Sequence, residues 1–187
     1  MTAEKPIVAR WQDWAGKSLE HLVLREGPEG IVAEAALLAE EGGAVFAARY
    51  RIVCDPIWQV RCATIGLIGD DRAIALRSDG AGRWRDSAGQ SLPQLDGAID
   101  IDISVTPFTN TLPIRRLDLK EDQSAEIVTV YVRLPELTVT TDPQRYTCLE
   151  RGRRYRFESL DSDFMREIEV DGHGLVVDYP GLFRRLL

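Results

Sequence analysis

Apolar and polar residues alternate along this chain in short runs of about six to eleven residues, separated by Gly, Pro and Asp signals, a spacing that predicts a sheet-rich protein. The clearest run is Ile99-Asp100-Ile101-Asp102-Ile103-Ser104-Val105-Thr106, which as a strand puts four β-branched apolar side chains on one face and four polar ones on the other. A helix would scatter the same isoleucines round its circumference. Residues 44–53 repeat the pattern less cleanly, with Phe46, Tyr50 and Ile52 on a face that Arg49 and Arg51 avoid. Residues 57–65 follow an Asp55-Pro56 turn and complete a long hairpin with them. Further strands are expected at 7–11, 19–25, 73–77, 82–85, 126–134, 137–141, 145–150, 153–159, 165–170 and 175–179. The segment 31–41 is rich in Ala, Glu and Leu, which favour helix, but its Gly30 and Gly42-Gly43 boundaries suit a hairpin arm, so it reads as a strand.

One segment departs from this period. In Phe108-Thr109-Asn110-Thr111-Leu112-Pro113-Ile114-Arg115-Arg116-Leu117, capping residues precede a proline that the first helical turn tolerates, and Leu112, Ile114 and Leu117 supply an apolar side. A short helix of two or three turns is expected from about Asn110 to Leu117. No linker-like tract or internal repeat divides the chain, and residues 1–187 read as one domain.

Composition narrows the function classes. The 187 residues carry 44% hydrophobic and 28% charged residues, as a globular domain does, with 23 basic against 30 acidic residues and a formal net charge of −7. That balance argues against nucleic acid as a partner. The opening residues, Met1 to Pro6, lack the basic-then-apolar order of a secretory signal, and no stretch approaches the roughly 20 apolar residues of a membrane span. Cys54, Cys62 and Cys148 make no Cys-x-x-Cys pair and read as reduced, half-buried thiols in a cytoplasmic protein. His21 and His173 lie far apart in no zinc-binding frame, and His173 sits in the turn sequence Asp171-Gly172-His173-Gly174. Phosphate-loop, dinucleotide and Gly-x-Ser-x-Gly fingerprints are missing, so neither a cofactor nor a metal is expected.

The candidate chemistry lies in acids, arginines and tryptophans. Asp100 and Asp102 share a strand face, close enough to influence each other's ionisation, and could act as an acid–base pair in a hydrolase, or meet water or arginines. Arginine makes up 20 of the 23 basic residues. Arg115-Arg116 forms one group and Arg151, Arg153, Arg154 and Arg156 another; either could hold an anionic head group through paired hydrogen bonds, or simply pair with nearby acids such as Glu150 and Glu158. Trp11, Trp14, Trp58 and Trp84 fill a core, line an apolar cavity or stack on sugar rings.

The stretch from Leu95-Asp96-Gly97-Ala98 through Asp100 and Asp102 to Thr106-Pro107-Phe108-Thr109-Asn110-Thr111-Leu112-Pro113-Ile114-Arg115-Arg116-Leu117 resembles the bacterial Putative glycolipid-binding family, long catalogued as a domain of unknown function. Trp58-Gln59-Val60-Arg61, Gly82-Arg83-Trp84, Val130 to Pro135, Gln144 to Thr147 and Gly174 to Phe183 extend the resemblance over nearly the whole chain. Ala98 stands where many relatives are expected to carry cysteine.

The resemblance implies a mainly β fold, a spiral β-roll in which an extended antiparallel sheet wraps around a single short α-helix, and a homodimer. It also implies binding of a glycolipid or other amphiphile without catalysis. Apolar wall residues of the roll would hold acyl chains. Asp100, Asp102, Asn110, Arg115, Arg116, Trp58 and Trp84 are the expected ligand-binding residues. Inside such a roll Arg115 or Arg116 must find acids or leave through a gap, and Asp100 and Asp102 are the natural partners, with Asn110 satisfying backbone groups at the helix entry. The alternatives are a hydrolase using Asp100 and Asp102, and a structural or protein-interaction dimer.

Overall fold

The computed structural model describes residues 5–187, so all but the last two residues of the segment read for a signal, 1–4, lie outside it. Fourteen strands follow one another: β1 (Ile7–Asp13), β2 (Leu19–Gly27), β3 (Gly30–Glu41), β4 (Ala44–Cys54), β5 (Val60–Leu67), β6 (Ala73–Ser78), β7 (Trp84–Arg85), β8 (Asp100–Ile103), β9 (Ser124–Arg133), β10 (Thr138–Glu150), β11 (Arg154–Ser159), β12 (Met165–Val170), β13 (Val176–Tyr179) and β14 (Phe183–Arg185). The one α-helix among the described residues, α1 (Thr111–Leu117), follows directly on a 3-10 turn at Phe108–Asn110, which supplies the extra length expected of it.

All fourteen strands form a single open sheet, in the order β7 to β1 and then β14 back to β8, so the first and last strands pair at its middle, Trp11 opposite Arg185 and Asp13 opposite Phe183. Every neighbouring pair is antiparallel except β8 and β9, and all the antiparallel pairs but β1 and β14 join strands consecutive in the chain. The sheet is therefore mixed rather than wholly antiparallel. A parallel pair needs a long crossover, normally a helix, and the segment that crosses from β8 to β9 contains α1. The lone helix and the lone parallel pair are one feature.

β3 shows the hairpin signals overriding helix propensity. Ile31, Ala33, Ala35, Leu37 and Ala39 are buried while Glu34, Ala36 and Leu38 are exposed, a period of two. Gly42 (φ 57°) and Gly43 (φ 84°) form the two-residue turn into β4, which needs positive φ at both positions. β5 starts at Val60, three residues later than expected, because the Asp55 carboxylate accepts hydrogen bonds from the Ile57 and Gln59 amides and folds residues 55–59 into a turn. Two expected strands, 137–141 and 145–150, are one continuous β10 running through Pro143. Its carbonyl accepts from Leu160 N–H on the side of β11, just past that strand's end, so its missing N–H costs no ladder bond to β9.

The sheet curls so that its β8–β10 end lies inside. Ile101, Ile103, Val130 and Val132 point from one face into a large core with Trp11, Leu22, Leu24, Ile52 and Ile65, whereas Tyr146 and Cys148 point from the other into a second core with Tyr155, Phe157 and Ile168. α1 joins the two, Leu112 packing in the first and Ile114 in the second, with Leu117 at the latter's margin. Each large apolar side chain so buried contributes about 1.5–3 kcal/mol. Trp84 belongs to the large core, its indole N–H donating to the Ala98 carbonyl at 2.7 Å. The inner wall is thus occupied by the protein's own side chains, not lined up around an open lumen. Cys54 and Cys148 are buried and Cys62 is half-buried, all three as free thiols.

Candidate functional site

Because Ile101 and Ile103 face the large core, alternation turns Asp100 and Asp102 toward α1 and the second core. Asp100 is fully buried, and Arg116 meets it with both prongs, Nε donating to Oδ1 at 3.0 Å and Nη2 to Oδ2 at 2.6 Å. Burial pushes the Asp100 carboxyl up and the guanidinium opposes that. The Arg116 side chain keeps 14% of its surface exposed, at the mouth of a cleft.

Arg115 does not share this pocket. Successive helical residues point about 100° apart, and Arg115 leaves on the other side, its guanidinium 4.7 Å above the Trp58 ring. Nη1 donates to the His173 carbonyl at 2.9 Å and Nη2 to Glu26 at 3.3 Å. Two unusual backbone positions make room for it. Trp58, at the end of the Asp55 turn, has φ 66° and is nonetheless 4% exposed; a bulky residue in that region costs about 1–2 kcal/mol. Gly174 has φ 75°, and a Cβ there would lie 2.9 Å from Arg115 Cδ.

Two more ion pairs complete the cleft. Arg151 Nη2 donates to both oxygens of Asp118, the left-handed cap residue of α1, at 2.8 and 2.9 Å. Arg185 holds Asp171 at 2.8 Å, while the other Asp171 oxygen accepts from the His173 and Leu175 amides and shapes the turn. The resulting cleft, about 560 Å³, is walled by Ile57, Trp58, Arg115, Arg116, Arg151 and Tyr155.

An apolar groove of about 450 Å³ adjoins it, lined by Ile99, Leu117, Ile127, Val128, Pro143 and Leu160 with Arg116 at one end. The groove follows from the sheet: β8 pairs with β9 only from Thr129 onward, so Ile127 and Val128 lie open beside Ile99 and the end of α1. Val128 and Leu160 are exposed there.

The remaining expected residues lie elsewhere. Asp102 lines a separate cleft of about 340 Å³ at the start of the helix, with Thr106, Asn110, Tyr131 and Asp142. Gln144 Nε2 bridges Asp102 and Asp142 at 2.9 and 2.7 Å, and Thr109 donates to Asp102 at 2.7 Å; burial raises both carboxyls. Asn110 donates to the Pro107 carbonyl at 3.2 Å and accepts from the Tyr146 hydroxyl at 2.9 Å, tying the helix entry as expected. A hydrolase needs both acids at one reacting bond, and Asp100 lies closed under Arg116 while Asp102 opens to a different cleft. Trp58, Arg115 and Arg116 therefore come together, Asp100 underpins them, and Asp102, Asn110 and Trp84 do not join. Of the second arginine group, Arg151 lines the cleft. Glu26, Asp118 and Gly174 were not legible as site residues, although the Gly172-His173-Gly174 turn signal was. Among the described residues no three His, Cys, Asp or Glu side chains cluster as metal ligands, and no helix is long and apolar enough to cross a membrane.

In this open β-roll a charged cleft runs into an apolar groove, with Arg116 common to both. The chain belongs to the Putative glycolipid-binding family, whose sequence model matches residues 8–185. It is similar to a DUF1089 family protein from Pseudomonas aeruginosa whose crystal structure was solved at 1.80 Å resolution: the two are 39% identical, align over 91% of this chain and 92% of that one, and superpose with a TM-score of 0.80. No curated protein matches the chain.

Proposed function

We propose that the protein binds a glycolipid-like amphiphile on its outer surface, the polar head in the arginine cleft and the acyl chain in the groove bounded by Ile99, Val128 and Leu160. The observation that carries this reading is Arg116, which lines both depressions. Polar anchoring and apolar cover therefore meet at one side chain, itself held in place by Asp100. Each depression falls in the size range of small-molecule sites, about 300–1,000 Å³. The family's name supports the ligand class. The three unpaired thiols support a reducing, cytoplasmic setting.

Native mass spectrometry of the purified protein, followed by lipid extraction, tests the reading. A retained amphiphile that Val128→Glu loses while the fold, read by circular dichroism, survives is the expected result. Retention unaffected by that substitution, or no amphiphile taken up from supplied glycosyl diacylglycerol, would overturn it.

A further inference from the structure

The arginines give this cleft the look of an anion site, but its charges cancel. Arg115 is paired with Glu26, Arg116 with Asp100, Arg151 with Asp118 and Arg185 with Asp171, four guanidiniums against four carboxylates. A phosphate entering here would bring its charge into a balanced site and would have to compete with acids already seated on each arginine. The pairing leaves hydrogen-bonding capacity rather than charge. Arg116 spends Nε and Nη2 on Asp100, which leaves Nη1; Arg151 spends Nη2 on Asp118, which leaves Nε and Nη1. Asp118, 71% exposed, offers lone pairs beyond those it gives Arg151. The Arg116 donor held by buried Asp100, the exposed Arg151 donors and the open Asp118 acceptor, with Ile57 as an apolar wall, suit neighbouring hydroxyls that both donate and accept.

We infer that the head group this cleft selects is an uncharged polyhydroxylated ring, a neutral sugar, in preference to a phosphate. This rests on the reading that the cleft and groove together hold an amphiphile.

The test compares galactosyl diacylglycerol with phosphatidylglycerol of the same chains, each carrying the same fluorescent label, titrated with the full chain at low and high salt. The galactolipid binds about tenfold tighter, the value of one or two well-placed hydrogen bonds, and its affinity changes less than about twofold with salt because no net charge is neutralised. Asp118→Asn frees Arg151 and leaves a net positive cleft, and the change suits the left-handed backbone (φ 43°) that asparagine also accepts. That variant gains about tenfold for phosphatidylglycerol at low salt. Equal or tighter binding of phosphatidylglycerol by the unaltered protein, or strong salt dependence of the galactolipid, overturns the inference and leaves amphiphile binding standing. Failure of the folded protein to bind either lipid overturns both.

Discussion

Glu20 makes the stability of this fold depend on pH in a direction opposite to that of most carboxylates. It sits on β2, 4% exposed, where Oε1 accepts hydrogen bonds from the Tyr50 hydroxyl at 2.5 Å and from Thr106 at 2.9 Å, while Oε2 is buried without a partner. Burial pushes its carboxyl from 4.5 up to about 7, the two hydroxyls only partly opposing the shift. The folded state therefore holds a proton that the unfolded chain releases at lower pH. The stability it contributes is complete below the unfolded value of 4.5 and is lost as pH rises through about 7. A shift of that size corresponds to about 3 kcal/mol, or roughly 6–12 °C in melting temperature for a chain of this length. Urea titrations from about pH 4 to about pH 9 on the protein and on Glu20→Gln measure it. Every other titrating group is common to both, so the difference between the two curves isolates Glu20. The variant loses least, or gains, at the alkaline end and loses most below pH 5. A difference that stays flat across the range refutes the reasoning.

Four further outcomes follow from the cleft and its supports. Asp100→Asn leaves Arg116 without its buried partner and costs about 3–5 kcal/mol in chemical denaturation, whereas the double change Asp100→Leu with Arg116→Met recovers most of the loss. Equal losses in the single and double variants would contradict a paired origin. At Trp58, glycine relieves the strained backbone that alanine retains, so Trp58→Gly is more stable than Trp58→Ala by about 1 kcal/mol although it removes more atoms. The reverse order would show that the turn is not strained. Gly174→Ala drives a Cβ into Arg115, and the loss of the Arg115–Trp58 stack reads out as altered tryptophan fluorescence; an unchanged spectrum counts against the contact. Leu160→Asp weakens lipid uptake about tenfold or more with little change in melting temperature, since an exposed site tolerates charge while a filled apolar groove does not.

Much of the architecture is readable in the residues. Strict alternation at Ile99 to Thr106, the Gly42-Gly43 turn and the Pro113-bearing helix each carry a local signal that the tertiary structure respects. β14 was unreadable because three residues show no period, and it exists because β13 on one side and β1 on the other both pair with it. Residues 137–150 look like two strands because Pro143 reads as a breaker, and only the ending of β11 beside it makes the proline harmless. The parallel pairing of β8 was hidden as well, since alternation gives the faces of a strand but not the direction of its neighbour.

The site was legible only in part. Arg116 with Asp100 could be anticipated from a helix that follows an acid-bearing strand. The divergence of Arg115 follows from helical geometry, but its partner Glu26 is 89 residues away and no sequence spacing indicates it. The groove was invisible because it is made by what β8 does not cover on β9.

A photoreactive group at the end of the acyl chain tests the central claim most directly. With a diazirine-tailed glycosyl diacylglycerol, irradiation followed by peptide mapping should place the adducts at Ile127–Val128 and Leu160, and unlabelled lipid should compete them away. Adducts in the large core beside Leu22 and Ile52, or in the cleft of Asp102 and Tyr131, would contradict it.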